Sequence, residues 1–290
     1  MQEKCSCSRF RIFFVYIGSL LQEWDCLKKK VGESKYRQHL APGKYRMVRV
    51  GKNVLYRSSS AASSFLRRQV IETSHDFGLF KFKIKQIISI AFRLKISKSE
   101  GTGDLVLFSQ AGDVKIFDFR NRLVFTFVAN CKRYNRLEFV TNVFDSFFHI
   151  PIKCFVDKRR MVVEKYVDVP ISDVETPHKH ITALKCYLNG FKKYLQHADN
   201  NGKVSRIKTL ALWNSFSSSL KQEPVMQQLH STLAKNGQKE WASVMCHGVF
   251  NQRNVLLSDK CYIIDWEFSD EYIFFYDFYN YIVWATKKRE

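Results

Sequence analysis

One stretch near the C-terminal end constrains this chain more than any other. It opens with His247-Gly248, reaches Asn254, and continues as a short apolar run, a polar turn at 258–260 and a second apolar run ending in Asp265. Two apolar runs around a tight turn predict a β-hairpin, which brings Asn254 and Asp265 close together. A side-chain carbonyl oxygen beside a carboxylate suits Mg²⁺, which prefers oxygen ligands and keeps waters and phosphates as its others.

The same stretch resembles the catalytic segment of the aminoglycoside phosphotransferase and choline kinase group, which are small-molecule kinases with the protein-kinase fold. That family's pattern is His-Gly-Asp-[Leu/Phe]-x-x-x-Asn, an apolar strand, Asp-[Trp/Phe]-Glu, and often another Asp further on. The chain matches this pattern at His247, Gly248, Phe250, Asn254, Asp265, Trp266, Glu267 and Asp277. The resemblance implies ATP and Mg²⁺ as cofactors. It implies His247, Asn254 and Asp265 as catalytic residues, with Asn254 and Asp265 as the metal ligands.

The chain departs from the family at the catalytic base. The family's Asp falls at position 249, where this chain has Val249. In kinases that Asp accepts the proton of the attacking hydroxyl and orients it, and a Val side chain can do neither. The metal-binding half of the family's site is therefore present while the base is missing.

Residues 104–168 show an order of elements that resembles the N-terminal lobe of the kinase fold. Apolar runs bounded by turn residues predict strands, and a helical spacing of apolar residues predicts one helix. The predicted strands lie at 104–109, 114–119, 123–128, 150–156 and 161–167, and the helix lies at 134–147.

The resemblance also implies positions that bind the nucleotide. Glu138, inside the helix, occupies the place of the carboxylate that pairs with a strand Lys. Glu164 and Tyr166 lie on the strand that leads into the adenine-binding hinge. The third strand has no Lys and its only polar residue is Thr126, so Lys115 on the preceding strand is the substitute.

The region after 168 is expected to be mostly helical, with helices at 181–197, 205–220 and 225–235. Residues 177–180, which contain a His-x-His pair, are interpreted as a surface loop. A strand at 241–246 leads into the catalytic stretch, and a helix that begins near 271 carries Asp277. The resemblance implies a short C-terminal lobe, because family members commonly continue with more helices.

The predicted fold class is therefore α+β: a two-lobed, protein-kinase-like fold with a small antiparallel-sheet N-lobe and a mostly helical, short C-lobe. We expect a basic N-terminal region of undefined structure at 1–100, an N-lobe at 101–168 and a C-lobe at 169–290. Two features of the first region leave alternatives open. Residues 10–21 form a buried or interfacial apolar element, or else an uncleaved membrane-targeting segment. Residues 81–97 form a half-buried strand with a basic outer face, or else a basic amphipathic helix.

The chain carries 47 Lys+Arg against 27 Asp+Glu, a net charge of +20, which favours anionic partners. Expected partners are a nucleotide, an anionic small-molecule or glycan acceptor such as a lipopolysaccharide sugar, and an anionic membrane surface contacted peripherally. No recognition motif supports a nucleic-acid partner. The eight Cys form no Cys-x-x-Cys pair, so a zinc module is not expected. No small-x-small cleavage site follows the apolar segment 10–21, so we expect reduced thiols in a cytoplasmic protein, with peripheral attachment to the inner face of a membrane as an alternative.

Two functions fit these observations. The first is a phosphotransferase that acts on a small-molecule or glycan hydroxyl and is impaired by the loss of the catalytic Asp. The second is a catalytically inactive pseudokinase that serves as a nucleotide-binding or scaffold protein.

Overall fold

The computed structural model describes residues 24–50, 52–57, 61–66, 93–109, 111–168, 177–208 and 240–287. The chain divides into two compact units, 1–134 with 152–168 and 135–151 with 169–290. Sheets and helices occur together and the sheet pairings are antiparallel, so the predicted α+β class is confirmed.

The first unit is built on an eight-stranded antiparallel sheet with the strand order β3-β1-β2-β4-β5-β6-β8-β7. Consecutive strands are neighbours from β4 to β6, as expected for hairpins joined by short turns. The strands are β1 (Gly43–Val50), β2 (Lys52–Arg57), β3 (Arg93–Ile96), β4 (Leu105–Phe108), β5 (Val114–Asp118), β6 (Leu123–Phe127), β7 (Ile152–Val156) and β8 (Met161–Lys165).

Both faces of this sheet are covered, because apolar side chains alternate along the strands. On β4, Val106 faces one core cluster and Leu105 faces the other. The larger cluster contains helical residues 24–32 and the one-turn helix Ser34–Arg37, through side chains such as Trp24 and Tyr36. The smaller cluster contains the helical residues 61–66.

The five strands predicted between 104 and 168 are confirmed to within a few residues, and so is the helix between them, α1 (Cys131–Phe144). Part of the strand predicted at 81–97 is confirmed as β3, while 81–92 lies outside the described residues. The apolar segment 10–21 also lies outside them. Strands from both sides of the 97–104 segment join the one sheet.

The second unit holds two long helices and two small sheets. The helices are α2 (Pro177–Asn200) and α3 (Tyr276–Lys287). A three-stranded sheet has the order β13-β10-β9, and β11 and β12 form a hairpin. The strands are β9 (Ser205–Lys208), β10 (Glu240–Cys246), β11 (Val255–Leu257), β12 (Cys261–Ile263) and β13 (Asp270–Ile273).

Three interpretations of this region were wrong in part. Residues 177–180 are the first turn of α2 rather than a loop, since Pro at the start of a helix loses no hydrogen bond. Residues 205–208 are a strand because they pair with β10, and the rest of the predicted helix lies outside the described residues. The segment 270–273 is also a strand on β10, so the helix that carries Asp277 begins at Tyr276.

No helix among the described residues is long and apolar enough to cross a membrane.

Candidate active site

The loop that follows β10 is held by a buried carboxylate. Asp277, in the first turn of α3, accepts the backbone N–H of His247 at 2.7 Å and that of Gly248 at 2.9 Å. The Tyr187 hydroxyl on α2 donates to the same carboxylate. Asp277 is fully buried, and a buried charge is tolerated only when it is well hydrogen-bonded. These donors therefore fix the start of the loop against two helices.

Tyr187 is suited to this role because it stays protonated. Burial, followed by the neighbouring Asp277 carboxylate, raises the pKa of Tyr187 well above its usual value. Its ring stacks on Phe250 of the loop with the ring centroids 3.9 Å apart. Tyr187 thus supports the loop with both its ring and its hydroxyl.

His247 connects the loop to the end of the hairpin. Its Nε2 lies 2.8 Å from the carbonyl oxygen of Ile264, so Nε2 carries the proton and Nδ1 is left as an acceptor for the Val249 N–H at 3.4 Å. Burial lowers the pKa of His247, although the nearby Asp277 carboxylate opposes the shift. Its ring packs on the buried ring of Trp266 at 4.6 Å. A neutral imidazole in this position orients the loop and carries no charge.

Gly248 is required by the backbone geometry. Its φ is +87°, and a Cβ at this position would lie 2.2 Å from the carbonyl oxygen of Phe268. Asn280 on α3 donates its amide N–H to the Gly248 carbonyl oxygen at 3.0 Å. The loop therefore approaches the segment after the hairpin too closely for any side chain.

The Val249 carbonyl oxygen organises the rest of the loop. It accepts the side-chain N–H groups of Asn251 at 2.8 Å and Asn254 at 2.9 Å. This orients the buried Asn254 amide with its nitrogen toward the loop, and no described group hydrogen-bonds to Asn254 Oδ1. The apolar Val249 side chain is half-buried, at the position where the sequence resemblance leads us to expect a carboxylate.

The predicted hairpin is confirmed and brings Asn254 and Asp265 together. Val255 pairs with Ile263, and the Ile264 N–H donates to the Asn254 carbonyl oxygen at 3.0 Å. Asp265 follows at once in the left-handed conformation, with φ 62° and ψ 45°, and is exposed.

These two residues fit Mg²⁺ chemically. Asn254 contributes an amide oxygen and Asp265 contributes an exposed carboxylate, whereas Mg²⁺ takes only one or two carboxylates and draws its remaining ligands from water and phosphate. Among the described residues no group of three or more His, Cys, Asp or Glu side chains could hold a metal by itself. A cation at this site would therefore need the phosphates of a bound ligand.

A second set of contacts fixes the segment after Asp265. Arg136 of α1 donates to the Ser269 carbonyl oxygen at 2.7 Å and pairs with Asp270 at 2.6 Å. The Ser269 hydroxyl donates to the Trp266 carbonyl oxygen at 2.8 Å. The backbone that carries Asp265 is thus anchored on both sides.

The predicted nucleotide-binding residues of the first unit lie partly on one face of the sheet. Lys115 on β5 is directly opposite Thr126 on β6, and directly opposed residues share a face. Thr126 is buried, and its hydroxyl donates to Glu164 on β8 at 2.6 Å. Thr126 therefore holds Glu164 by a hydrogen bond on the face that it shares with Lys115.

The other two predicted positions have different surroundings. The Tyr166 ring packs against Phe119, with centroids 5.1 Å apart, and its hydroxyl lies 3.2 Å from Asp168. Glu138 is half-buried on the part of α1 that belongs to the second unit.

The sequence reasoning missed several residues that hold the loop. Tyr187, Asn280 and Arg136 are far from their partners in the chain, and no local pattern indicated them. Asn251 had a usable signal, since it lies between the family positions His247 and Asn254 in a polar loop.

Residues 196–290 match the model of a phosphotransferase enzyme family, described as APH. The C-terminal third of the chain is phosphotransferase-like. This match contains the whole catalytic stretch and confirms the resemblance seen in the sequence. No curated protein matches the chain.

Two solved structures are similar to the chain at low identity. A choline kinase from Streptococcus pneumoniae has a TM-score of 0.38 and 12% identity, and the match covers 60% of this chain and 66% of that one. An ethanolamine kinase from Plasmodium vivax has a TM-score of 0.37 and 12% identity, with 62% and 59% covered. The chain thus spans less than two thirds of either protein.

Proposed function

We propose that this protein is a kinase-fold phosphotransferase that acts on a small-molecule or glycan hydroxyl with ATP and Mg²⁺, at a rate limited by the missing base. The observation that supports this most directly is the loop itself. Asp277, Tyr187 and His247 hold it by buried hydrogen bonds although Val249 has replaced the catalytic Asp. These contacts hold the loop in one conformation, and a fixed loop is what the positioning of an acceptor hydroxyl requires.

In this proposal each residue has a defined task. Asn254 Oδ1 and the Asp265 carboxylate would hold Mg²⁺, which would supply positive charge to a nucleotide's phosphates. His247 positions the loop through Ile264. The acceptor hydroxyl is positioned by the loop and loses its proton to water or to the transferred phosphate. Lys115, Glu138, Glu164 and Tyr166 are the nucleotide-binding positions on the N-lobe side.

The rate should be low but measurable. Kinase catalysis depends mainly on positioning and charge stabilisation, and a proton-accepting group contributes about 10²–10⁴-fold. The net charge of +20 favours an anionic acceptor, such as a phosphorylated glycan, and peripheral contact with an anionic membrane surface from the cytoplasmic side.

The second candidate is a pseudokinase that binds nucleotide or a partner protein without transferring phosphate. It is favoured by two substitutions in separate units. The Val249 side chain has no proton-accepting atom. The strand on which the family has its Lys carries Thr126 as its only polar residue, and the Thr126 hydroxyl is bonded to Glu164. A site without the base transfers phosphate poorly, and a site without the Lys binds phosphates weakly.

Nucleotide binding is tested by thermal unfolding with and without Mg-ATP. A ligand at about 100 times its Kd stabilises the fold by roughly 2.7 kcal/mol, or about 4–5 °C in Tm for a chain of this size. Wild type should show this shift and Asp265→Asn should lose it. Asp259→Asn, which removes the same charge from the exposed turn of the same hairpin, should keep it. An unchanged Tm in wild type would exclude both nucleotide-dependent functions.

Transfer is tested by restoring the base. Val249→Asp should raise the release of labelled phosphate from γ-labelled ATP by about 10²-fold or more. Val249→Asn is the matched control, since the Asn side chain is polar and similar in size to Asp but accepts no proton at neutral pH. Equal rates for both variants, with Mg-ATP binding intact, would favour the pseudokinase.

A further inference from the structure

The first unit contains a cleft that shares no residue with the catalytic stretch. Its volume is about 450 Å³, within the range of small-ligand sites. Its lining contains four charged residues, namely Arg37, Lys98, Glu100 and Arg159. The uncharged residues of the lining are Ser34, Gln38, His39 and Ser99.

The charge of the lining is unbalanced. Three cations face one carboxylate, so the cleft carries an excess of two positive charges. No acidic side chain among the described residues lies within salt-bridge distance of Arg37, Lys98 or Arg159. Converging cations without a carboxylate partner favour an anionic ligand, and Arg in particular matches the geometry of phosphate oxygens.

The walls of the cleft are held rigidly. The Ser99 hydroxyl donates to the Arg37 carbonyl oxygen at 2.7 Å, and the Gly103 N–H donates to the His39 carbonyl oxygen at 2.9 Å. A Cβ on Gly101 would lie 2.2 Å from the backbone of His39, so the two segments are in close contact. Arg159 ends the turn Asp157–Arg159, which is closed by the Arg160 N–H. The cations are thus presented by fixed backbone segments.

His39 completes the lining as a neutral donor. Its ring packs on Phe125, with centroids 4.5 Å apart, and Gln38 Nε2 lies 3.2 Å from His39 Nε2. Since the Gln38 amide nitrogen can only donate, His39 Nε2 is the acceptor and Nδ1 carries the proton. Burial, with the Arg159 charge adding to it, lowers the pKa of His39 to about 4.

We infer that this cleft is a binding site for a phosphate group, carried either by a soluble phosphomonoester or by a lipid headgroup. A phosphomonoester dianion matches the excess of two positive charges, and the cleft has room for the group that carries it. This site is separate from the proposed phosphotransfer site and does not depend on it.

The test uses the full chain, inorganic phosphate and the ring signals of His39 in NMR spectra, assigned with His39→Gln. Phosphate should shift these signals in a saturable manner, whereas chloride at equal ionic strength should not. A bound phosphate anion stabilises the imidazolium form, so phosphate should also raise the pKa of His39. The charged groups facing this ring are Arg37, Lys98, Glu100 and Arg159.

Matched variants separate this site from general attraction to a basic protein. Arg159→Gln should weaken phosphate binding by about tenfold or more, since hydrogen bonds to charged groups are strong. Lys158→Gln removes the same charge from the same turn but does not line the cleft, and it should leave the Kd within about twofold. Glu100→Gln should strengthen binding by about two- to fivefold, because it removes the repelling carboxylate.

Vesicles distinguish the two sources of the phosphate group. Co-sedimentation with phosphatidic acid vesicles that is reduced by Arg159→Gln and not by Lys158→Gln would identify a lipid headgroup. Saturable binding of inorganic phosphate with no such difference on vesicles would identify a soluble phosphomonoester. The inference is wrong if Arg159→Gln and Lys158→Gln behave alike toward both probes, or if phosphate leaves the His39 signals unchanged.

Discussion

Replacing Asp277 with Asn should destabilise the protein well beyond what the loss of one charge from its surface would cause. Asn keeps one carbonyl oxygen and exchanges the other for an NH₂ group. The carboxylate accepts from His247 and Tyr187 on Oδ2 and from Gly248 on Oδ1. Whichever way the amide turns, at least one buried donor loses its acceptor.

The magnitude follows from these contacts. An unsatisfied buried donor costs about 1–3 kcal/mol, and each remaining hydrogen bond loses about 1 kcal/mol because its acceptor is no longer charged. Relief of the buried carboxylate's desolvation offsets part of this cost. We therefore expect a loss of about 2–4 kcal/mol from the free energy of unfolding, against a total of roughly 5–15 kcal/mol for a typical protein.

The assay is urea unfolding followed by tryptophan fluorescence, because the buried Trp266 packs on His247 in the same loop. Asp259→Asn, in the exposed hairpin turn, is the control and should change the unfolding free energy by no more than about 0.5 kcal/mol. Tyr187→Phe should couple to Asp277→Asn in a double-mutant cycle, since each removes the same hydrogen bond. A loss below about 1 kcal/mol for Asp277→Asn, or the absence of coupling, would refute the idea that this carboxylate holds the loop.

Two further predictions concern a glycine and a histidine. Gly248→Ala should lower the free energy of unfolding in urea by at least about 2 kcal/mol more than Gly202→Ala does. Both glycines have positive φ, but only a Cβ at Gly248 would lie against the Phe268 carbonyl oxygen. Equal losses of unfolding free energy would show that the loop can relax. Burial and Arg159 lower the pKa of His39 to about 4 in the folded state, so the unfolded chain takes up its proton first on acidification. The contribution of neutral His39 to stability is complete above about pH 6.5 and is lost as the pH falls toward 4. His39→Gln should therefore reduce the decrease in unfolding free energy between these pH values. An unchanged slope of unfolding free energy against pH would contradict the lowered pKa of His39.

The sequence predicted the parts of the fold that depend on short-range patterns. The strands β4 to β8, helix α1 and the hairpin of β11 and β12 follow from alternating or helical spacing of apolar residues and from turn residues between them. The neighbourhood of Asn254 and Asp265 was predictable for the same reason, since a hairpin brings the residues that flank it together.

Pairing between distant segments changed several local assignments. The local pattern of residues 205–208 and 270–273 is compatible with a helix. Both segments are strands because each pairs with one edge of β10. A segment that pairs with a sheet edge gains backbone hydrogen bonds. The helix propensity of its residues, a few tenths of a kcal/mol each, is too small to outweigh them. The sequence around each segment does not contain this information.

The amino-acid sequence by itself determined the chemical character of the site: the amide of Asn254, the carboxylate of Asp265 and the apolar side chain of Val249. Only the tertiary structure decided how that site is supported, because Tyr187 and Asp277 are 90 residues apart, and Arg136 and Asp270 are 134 apart. It also decided the cationic cleft, whose lining comes from residues 34–39, 98–100 and 159. Contacts of this kind depend on which elements pack together, and packing is set by the burial of the whole apolar surface rather than by any local spacing of residues.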